Sequence, residues 1–175
     1  MKKLFLYPLV LCFIFCFYGC EDKDSCNDCE GLCCYKDFSS PIELSDEIEL
    51  DLDADGDGDV LIRDVSNYVS IKGMSSNVEV STGIMPVTLP SRPYATIYEN
   101  AMLNYGWEWK NSLNASVGGN TRVGDYIGVR FKGTNCYYYG WIKVGYVSKF
   151  KVYAMYLYKG VNDPVYAGVK NPNCN

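Results

Sequence analysis

The chain has 175 residues with 21 acidic and 16 basic side chains, a formal net charge of −5, and 48 % hydrophobic residues. That acidic balance argues against a surface built to attract nucleic acid or an anionic membrane face. Histidine is absent throughout, which excludes Ser-His-Asp and Cys-His catalysis, histidine-ligated zinc and any histidine general base.

Lys2 and Lys3 precede a nearly unbroken apolar run from Leu4 to Phe17. A spanning helix needs about 20 apolar residues, whereas a run of roughly 7–15 behind a basic start is the pattern of a cleaved export signal. Phe17-Tyr18-Gly19-Cys20 then sets a small residue directly before a cysteine. This resembles the lipobox of bacterial lipoproteins, which implies a signal peptide over 1–19 and acylation of Cys20 as the first mature residue. The alternative is an ordinary cysteine near a general signal-peptidase cut, and on either reading the chain leaves the cytoplasm. Several acyl chains, each worth about 0.8 kcal/mol per buried methylene, would make the membrane its first partner. Glu21, Asp22 and Asp24 follow, which resembles the surface-export tags of lipoproteins in some Gram-negative phyla. The resemblance implies an outer-membrane lipoprotein at the cell surface, with the periplasmic face or secretion as alternatives. Removal of two lysines with the signal takes the charge to −5 − 2 = −7.

Residues 20–44 read as a cysteine-rich tether, with Cys26, Cys29, Cys33 and Cys34 among acids and serines and little to build a core. The Cys-x-x-Cys spacing offers thiolates to zinc, but outside the cytoplasm disulfides are favoured. With Cys136 and Cys174 the candidates number six beyond Cys20, enough for three bridges in any of 15 connectivities. A bridge between adjacent Cys33 and Cys34 requires strained geometry, so at least one is expected to reach elsewhere, toward Cys136 or Cys174.

The domain is expected over 45–175. Ile48, Leu50 and Leu52 alternate with Glu49, Asp51 and Asp53, the period of a half-buried strand. Carboxylates then recur on alternate residues at Asp51, Asp53, Asp55, Asp57 and Asp59, a density of hard oxygen ligands suited to Ca²⁺. One ligand frame takes Asp53, Asp55, Asp57, Gly58 and Asp64 as an EF-hand-like loop, which requires flanking helices. The other takes Asp51, Asp53, Asp55, Gly56 and Asp59, which resembles calcium loops joining two strands in extracellular β proteins. It is preferred because the flanks alternate, and in it Asp57 offers its carbonyl and Gly56 a positive φ. The alternative to both is a solvated acidic turn without metal.

Val60 to Ser81 reads as two or three strands, and the three prolines between Gly83 and Pro93 mark a long connection. Tyr94 to Tyr105 fits a helical stripe and a strand equally well. Trp107 and Trp109 share a face if the segment is extended, either as a platform for a sugar ring or as packing. Tyr126 to Phe131, the Gly133-Thr134-Asn135 turn and Tyr137 to Val144 form a hairpin; Lys149 to Tyr158 and Val165 to Gly168 follow as further strands. These strands, with the Asp-rich loop before them, resemble a loose group of secreted or anchored bacterial β-sandwich proteins over Ile48 to Val169. The expected fold is all-β: a single, jelly-roll-like β-sandwich domain behind a signal peptide and tether. The expected function is a surface-displayed, non-catalytic binding or adhesion module, calcium-stabilised, whose ligand is a glycan or an envelope protein. A structural component of an envelope complex is the alternative. A glycoside hydrolase, which needs only two carboxylates, would draw on Glu99, Glu108 and Asp125.

Overall fold

The computed structural model describes residues 33–65, 68–81, 97, 99–116, 125–146 and 148–171. Every regular element among them is a strand. In chain order these are β1 (Cys33–Glu43), β2 (Glu47–Leu50), β3 (Val60–Val65), β4 (Tyr68–Gly73), β5 (Val78–Ser81), β6 (Met102–Leu103), β7 (Ser112–Ser116), β8 (Asp125–Lys132), β9 (Tyr137–Tyr146), β10 (Phe150–Tyr158) and β11 (Val165–Tyr166). They form a five-stranded sheet ordered β1-β10-β9-β8-β5, a four-stranded sheet β2-β3-β4-β7 and a small pair β11-β6. All pairings are antiparallel.

The period of two decides which side chains meet. In the four-stranded sheet Ile48, Leu50, Val60, Ile62, Val69 and Ile71 face inward, and they pack on Val80, Ile127, Val129, Ile142, Val144 and Leu157 of the larger sheet. Full burial of one such aliphatic side chain contributes about 1.5–3 kcal/mol, so this layer holds the β-sandwich together. The larger sheet has a second covered face, however. Tyr126, Tyr139, Trp141, Tyr156 and Tyr158 project to the opposite side and pack beneath Ile97, Leu103, Val165 and Ala167. β8, β9 and β10 are therefore mainly aliphatic on one face, where Phe131, Tyr138 and Phe150 are the aromatic members, and mainly aromatic on the other. On β10 the alternation slips between Val152 and Ala154, a bulge that lets Val152 and Met155, three apart, reach the same aliphatic core.

Among the described residues, backbone hydrogen bonds join the two large sheets on the side of β5 and β7. Val80 and Lys110 exchange backbone hydrogen bonds of 2.7 and 3.1 Å, and Gly73 N donates to Asn111 O at 2.7 Å. The Asn111 side-chain amide reinforces the seam, donating to the carbonyls of Gly73, Ser75 and Val78 at 3.2, 2.8 and 3.0 Å. On the other side β1 and β2 end their sheets, and no further described strand pairs with either.

β1 corrects the expected domain boundary. Residues 33–44 are integral to the sandwich rather than tether: Cys33 to Asp37 pair with Tyr158 to Ala154, then Ile42 and Glu43 pair with Val152 and Lys151. Glu43 also bonds Lys149 and Lys151, each at 3.1 Å, and Leu44 is buried. The strand connections β8-β9-β10 are those of a meander, so the jelly-roll likeness holds at the level of two packed sheets. The ambiguous segment before Tyr105 contributes a short strand, β6, and the isolated bridge of Ile97 to Tyr126. The signal peptide 1–19, Cys20, Cys26, Cys29, Cys174 and the connection 83–93 lie outside the described residues.

Candidate functional site: the acidic loop and the open side of the sandwich

The loop from Asp51 to Asp59 joins β2 to β3 and is folded by its own carboxylates. Asp59 N donates to Leu50 O at 2.8 Å, closing the base. Asp59 Oδ2 accepts from Leu52 N at 2.7 Å and Asp53 N at 3.3 Å, while Leu52 is buried in the core and plugs the loop into the domain. Asp51 accepts from Ala54 N at 2.7 Å and Gly56 N at 3.0 Å. Asp53 accepts from Asp55 N at 3.2 Å, and Asp55 from Asp57 N at 2.8 Å. Short acidic side chains that bond the backbone two or three residues on are what make such a sequence turn. Gly56 takes the expected positive φ, at 98°, and Ala54 is also left-handed at 64°.

This arrangement brings one carboxylate oxygen each from Asp51, Asp53 and Asp59 within 4.8 Å of one another. Asp55 and Asp57 lie outside that cluster; the Asp55 carboxylate is turned to the Asp57 amide instead. The EF-hand-like frame fails, because Asp64 sits in β3 opposite Val69 and its N–H goes to Asp46 O. Burial, reinforced by the charges of Asp53 and Asp55, pushes the Asp59 carboxyl up to about 7, against the lowering effect of the Leu52 and Asp53 amides. Burial, with the charges of Asp55 and Asp51, also raises Asp53, opposed by the Asp55 amide and the Lys159 ammonium. Asp53 and Asp59 thus sit where burial and neighbouring carboxylates disfavour their charge, which is the electrostatic setting a hard cation relieves.

The loop is tied to the larger sheet at a single carbonyl. Asp53 O accepts from Cys34 Sγ at 3.2 Å and from Lys159 Nζ at 3.3 Å. Cys34, expected among the bridged cysteines, is a free thiol, held on β1 facing the loop. Cys33 and Cys136 are both engaged with neighbours.

Between β1 and β2, beside this loop, the open side of the sandwich forms a cleft of about 520 Å³. Phe38, Ile42, Leu50 and Met155 supply its apolar lining, and Lys36, Glu49 and Asp51 its charged groups. A smaller cavity of about 200 Å³ lies on the aromatic side, lined in part by Tyr35, Glu99, Trp141 and Lys143.

Trp107 and Trp109 are not on a strand. They follow a turn after β6 and pack, half-buried, against the aromatic core. Trp109 donates its indole N–H to Asn104 O at 2.9 Å, lies 5.8 Å from the Tyr139 ring, and carries the Arg130 guanidinium 5.0 Å from its centroid. Among the described residues the most exposed aromatic is Tyr105, 83 % exposed at the tip of that turn. Of the three carboxylates considered for hydrolysis, Glu108 is exposed and bound to Lys110 at 2.6 Å, Asp125 is buried at the start of β8, and Glu99 lines the smaller cavity.

Two features were not visible in the sequence. The Asn111 seam and the ion pair of Arg130 with Glu79 both join residues far apart in the chain, 33 to 51 positions, which no local pattern signals. Comparison with known proteins returns no matching family model, curated protein or solved structure.

Proposed function

We propose that the protein is a lipid-anchored, non-catalytic binding module of the bacterial outer membrane, displayed at the cell surface, with calcium held at Asp51, Asp53 and Asp59. Its ligand enters the cleft between β1 and β2. The observation that carries the reading is the cleft: about 520 Å³, within the 300–1,000 Å³ usual for ligand sites, apolar with a few convergent charges. The donor set fits calcium because it is all hard oxygen, and an ion there would brace the loop that forms one end of the cleft. Acylation at Cys20 supplies the anchor, and the oxidising compartment outside the cytoplasm favours bridges from Cys33 and Cys136 to the remaining cysteines.

The test is a thermal melt of the mature chain carrying Cys20→Ser, with calcium and then with chelator, beside Asp51→Asn/Asp53→Asn. Calcium at about a hundredfold excess over its dissociation constant stabilises by about 2.7 kcal/mol, or roughly 5–10 °C for a chain of this length. That shift should vanish in the variant; an equal shift in the variant, or none in the parent, removes calcium from the proposal. Incorporation of labelled fatty acid in cells, lost on Cys20→Ser, checks the anchor.

A further inference from the structure

We infer that the smaller cavity, on the aromatic side of the larger sheet, binds a free α-amino acid, its carboxylate held by Lys143 and the Tyr126 hydroxyl and its ammonium by Glu99 and Asp37. This site is separate from the cleft and the acidic loop and rests on neither. The hollow comes from strand register. Tyr126 of β8 stands opposite Lys143 of β9, Lys143 opposite Ala154 of β10, and Ala154 opposite Asp37 of β1, so the four project to one face. Ala154 is the shortest side chain of this row, and it floors a cavity of about 200 Å³ between longer neighbours. Two strand spacings of about 4.8 Å set Lys143 and Asp37 roughly 10 Å apart along the backbone row, with the hollow between them. Glu99 and Gly168 line the same cavity from the layer that covers the sheet.

The second argument is a hydroxyl without a partner. Tyr126 is 2 % exposed, lines the cavity and makes no hydrogen bond among the described residues. A hydroxyl so buried is normally paired, and leaving it unpaired costs free energy. Every fully enclosed side-chain nitrogen or oxygen among the described residues has a partner, so the exposure this hydroxyl retains opens on the cavity. Gly168 keeps it reachable: its φ is 81°, and a Cβ there would strike the Tyr126 oxygen. Burial, aided by the Glu99 charge, raises the Tyr126 phenol above its ordinary range, so it stays protonated and can donate.

The third argument is the charge of the walls. Glu99 and Lys143 form no ion pair among the described residues, and Asp37 accepts the Tyr35 hydroxyl at 3.0 Å without pairing to a cation. Lys143 would repel a simple cation, and Glu99 and Asp37 a simple anion; a zwitterion satisfies both signs. A sugar finds no open indole here, because Trp141 is 3 % exposed under the rings of Tyr35, Tyr126 and Tyr156, at 6.2, 5.3 and 5.4 Å. The Lys170 ammonium in turn covers the Tyr35 ring at 4.0 Å. The volume lies below the roughly 300–1,000 Å³ of sites for larger ligands, which suits a single amino acid rather than a peptide.

The experiment is isothermal titration calorimetry of the mature chain carrying Cys20→Ser against each of the common free L-amino acids, with glucose and putrescine beside them. The tightest amino acid is then replaced by its primary amide, which lacks the carboxylate, and by its N-acetyl derivative, which lacks the ammonium. At least one amino acid should bind, and each derivative should bind about tenfold more weakly or not at all. Lys143→Gln and the pair Glu99→Gln/Asp37→Asn should each weaken binding about tenfold. Tyr126→Phe should weaken it about 2–10-fold while leaving the ligand-free melting midpoint at pH 7 unchanged, a split that a merely structural hydroxyl would not produce. The two derivatives probe the parent chain, so the result does not depend on a variant folding. Absence of amino-acid binding, equal binding of the amide or the N-acetyl form, or undiminished binding by a folded Lys143→Gln overturns the inference. Binding of glucose or putrescine alone assigns the cavity to a neutral or cationic ligand and overturns it equally.

Discussion

Replacing Arg130 with methionine should cost the domain more than any surface substitution, because it strips one member from a half-hidden ion pair. Arg130 Nε and one terminal nitrogen both reach Glu79 Oε2 at 2.6 Å, with side-chain exposures of 12 % and 17 %. The guanidinium also lies 5.0 Å from the Trp109 ring and 4.5 Å from the Tyr137 ring. Losing one partner of a buried pair costs about 3–5 kcal/mol, chiefly because the other charge is left without compensation, and each cation–π contact adds about 0.5–1 kcal/mol. The sum is about 4–7 kcal/mol, and for a chain of this size the midpoint should fall by about 8–28 °C. The double substitution Glu79→Met/Arg130→Met removes both charges, fills the space with apolar atoms and should recover most of that loss. The assay is thermal and urea denaturation of the parent, both single variants and the double. A midpoint change below about 2 °C for Arg130→Met, or a double variant as unstable as the two singles summed, would refute the reasoning.

Other consequences are open to measurement. Asn111→Ala removes the amide that serves three carbonyls across the seam, and should cost about 1–2 kcal/mol with faster hydrogen exchange at β5 and β7; unchanged exchange there would show the backbone bridge suffices alone. Burial raises the phenols of Tyr126, Tyr139 and Tyr156 above the ordinary value of 10.0, in Tyr126 with help from Glu99 and in Tyr139 against the pull of Arg130. Above pH 10 the unfolded chain releases these protons while the folded one retains them, so stability is intact below 10 and falls as pH rises beyond it. Melts from pH 8 to 11 should show that decline, and Tyr126→Phe should soften it; a flat profile refutes the assignment.

The hairpin of β8 and β9 was legible because Ile127, Val129 and Phe131 alternate without a break and Gly133 to Asn135 offer an obvious turn. The acidic loop was legible for a related reason: its fold is written in side chains that bond their own neighbours, so Asp51, Asp53, Asp59 and Gly56 could be placed from spacing. β1 was not, since its few apolar residues look like linker until Tyr158 to Ala154 are present to pair with it. The same holds for Trp107 and Trp109, whose role is set by a sheet face made of β8, β9 and β10. That the larger sheet is covered twice was hidden as well, because alternating aliphatic and aromatic residues read as one wet and one dry face when tyrosines could serve either.

The division of that sheet into an aliphatic and an aromatic face has a spectroscopic consequence. The chain has three tryptophans, and Trp107, Trp109 and Trp141 all belong to the aromatic side. Intrinsic emission is therefore a reporter of one half of the interior and is blind to the packing of Ile48, Ile62 and Ile71 against Ile142. If the thin layer of β6 and β11 lifts before the sandwich opens, emission will move while the backbone signal in the far ultraviolet stays native, and the emission transition by itself then gives the free energy that holds this layer down.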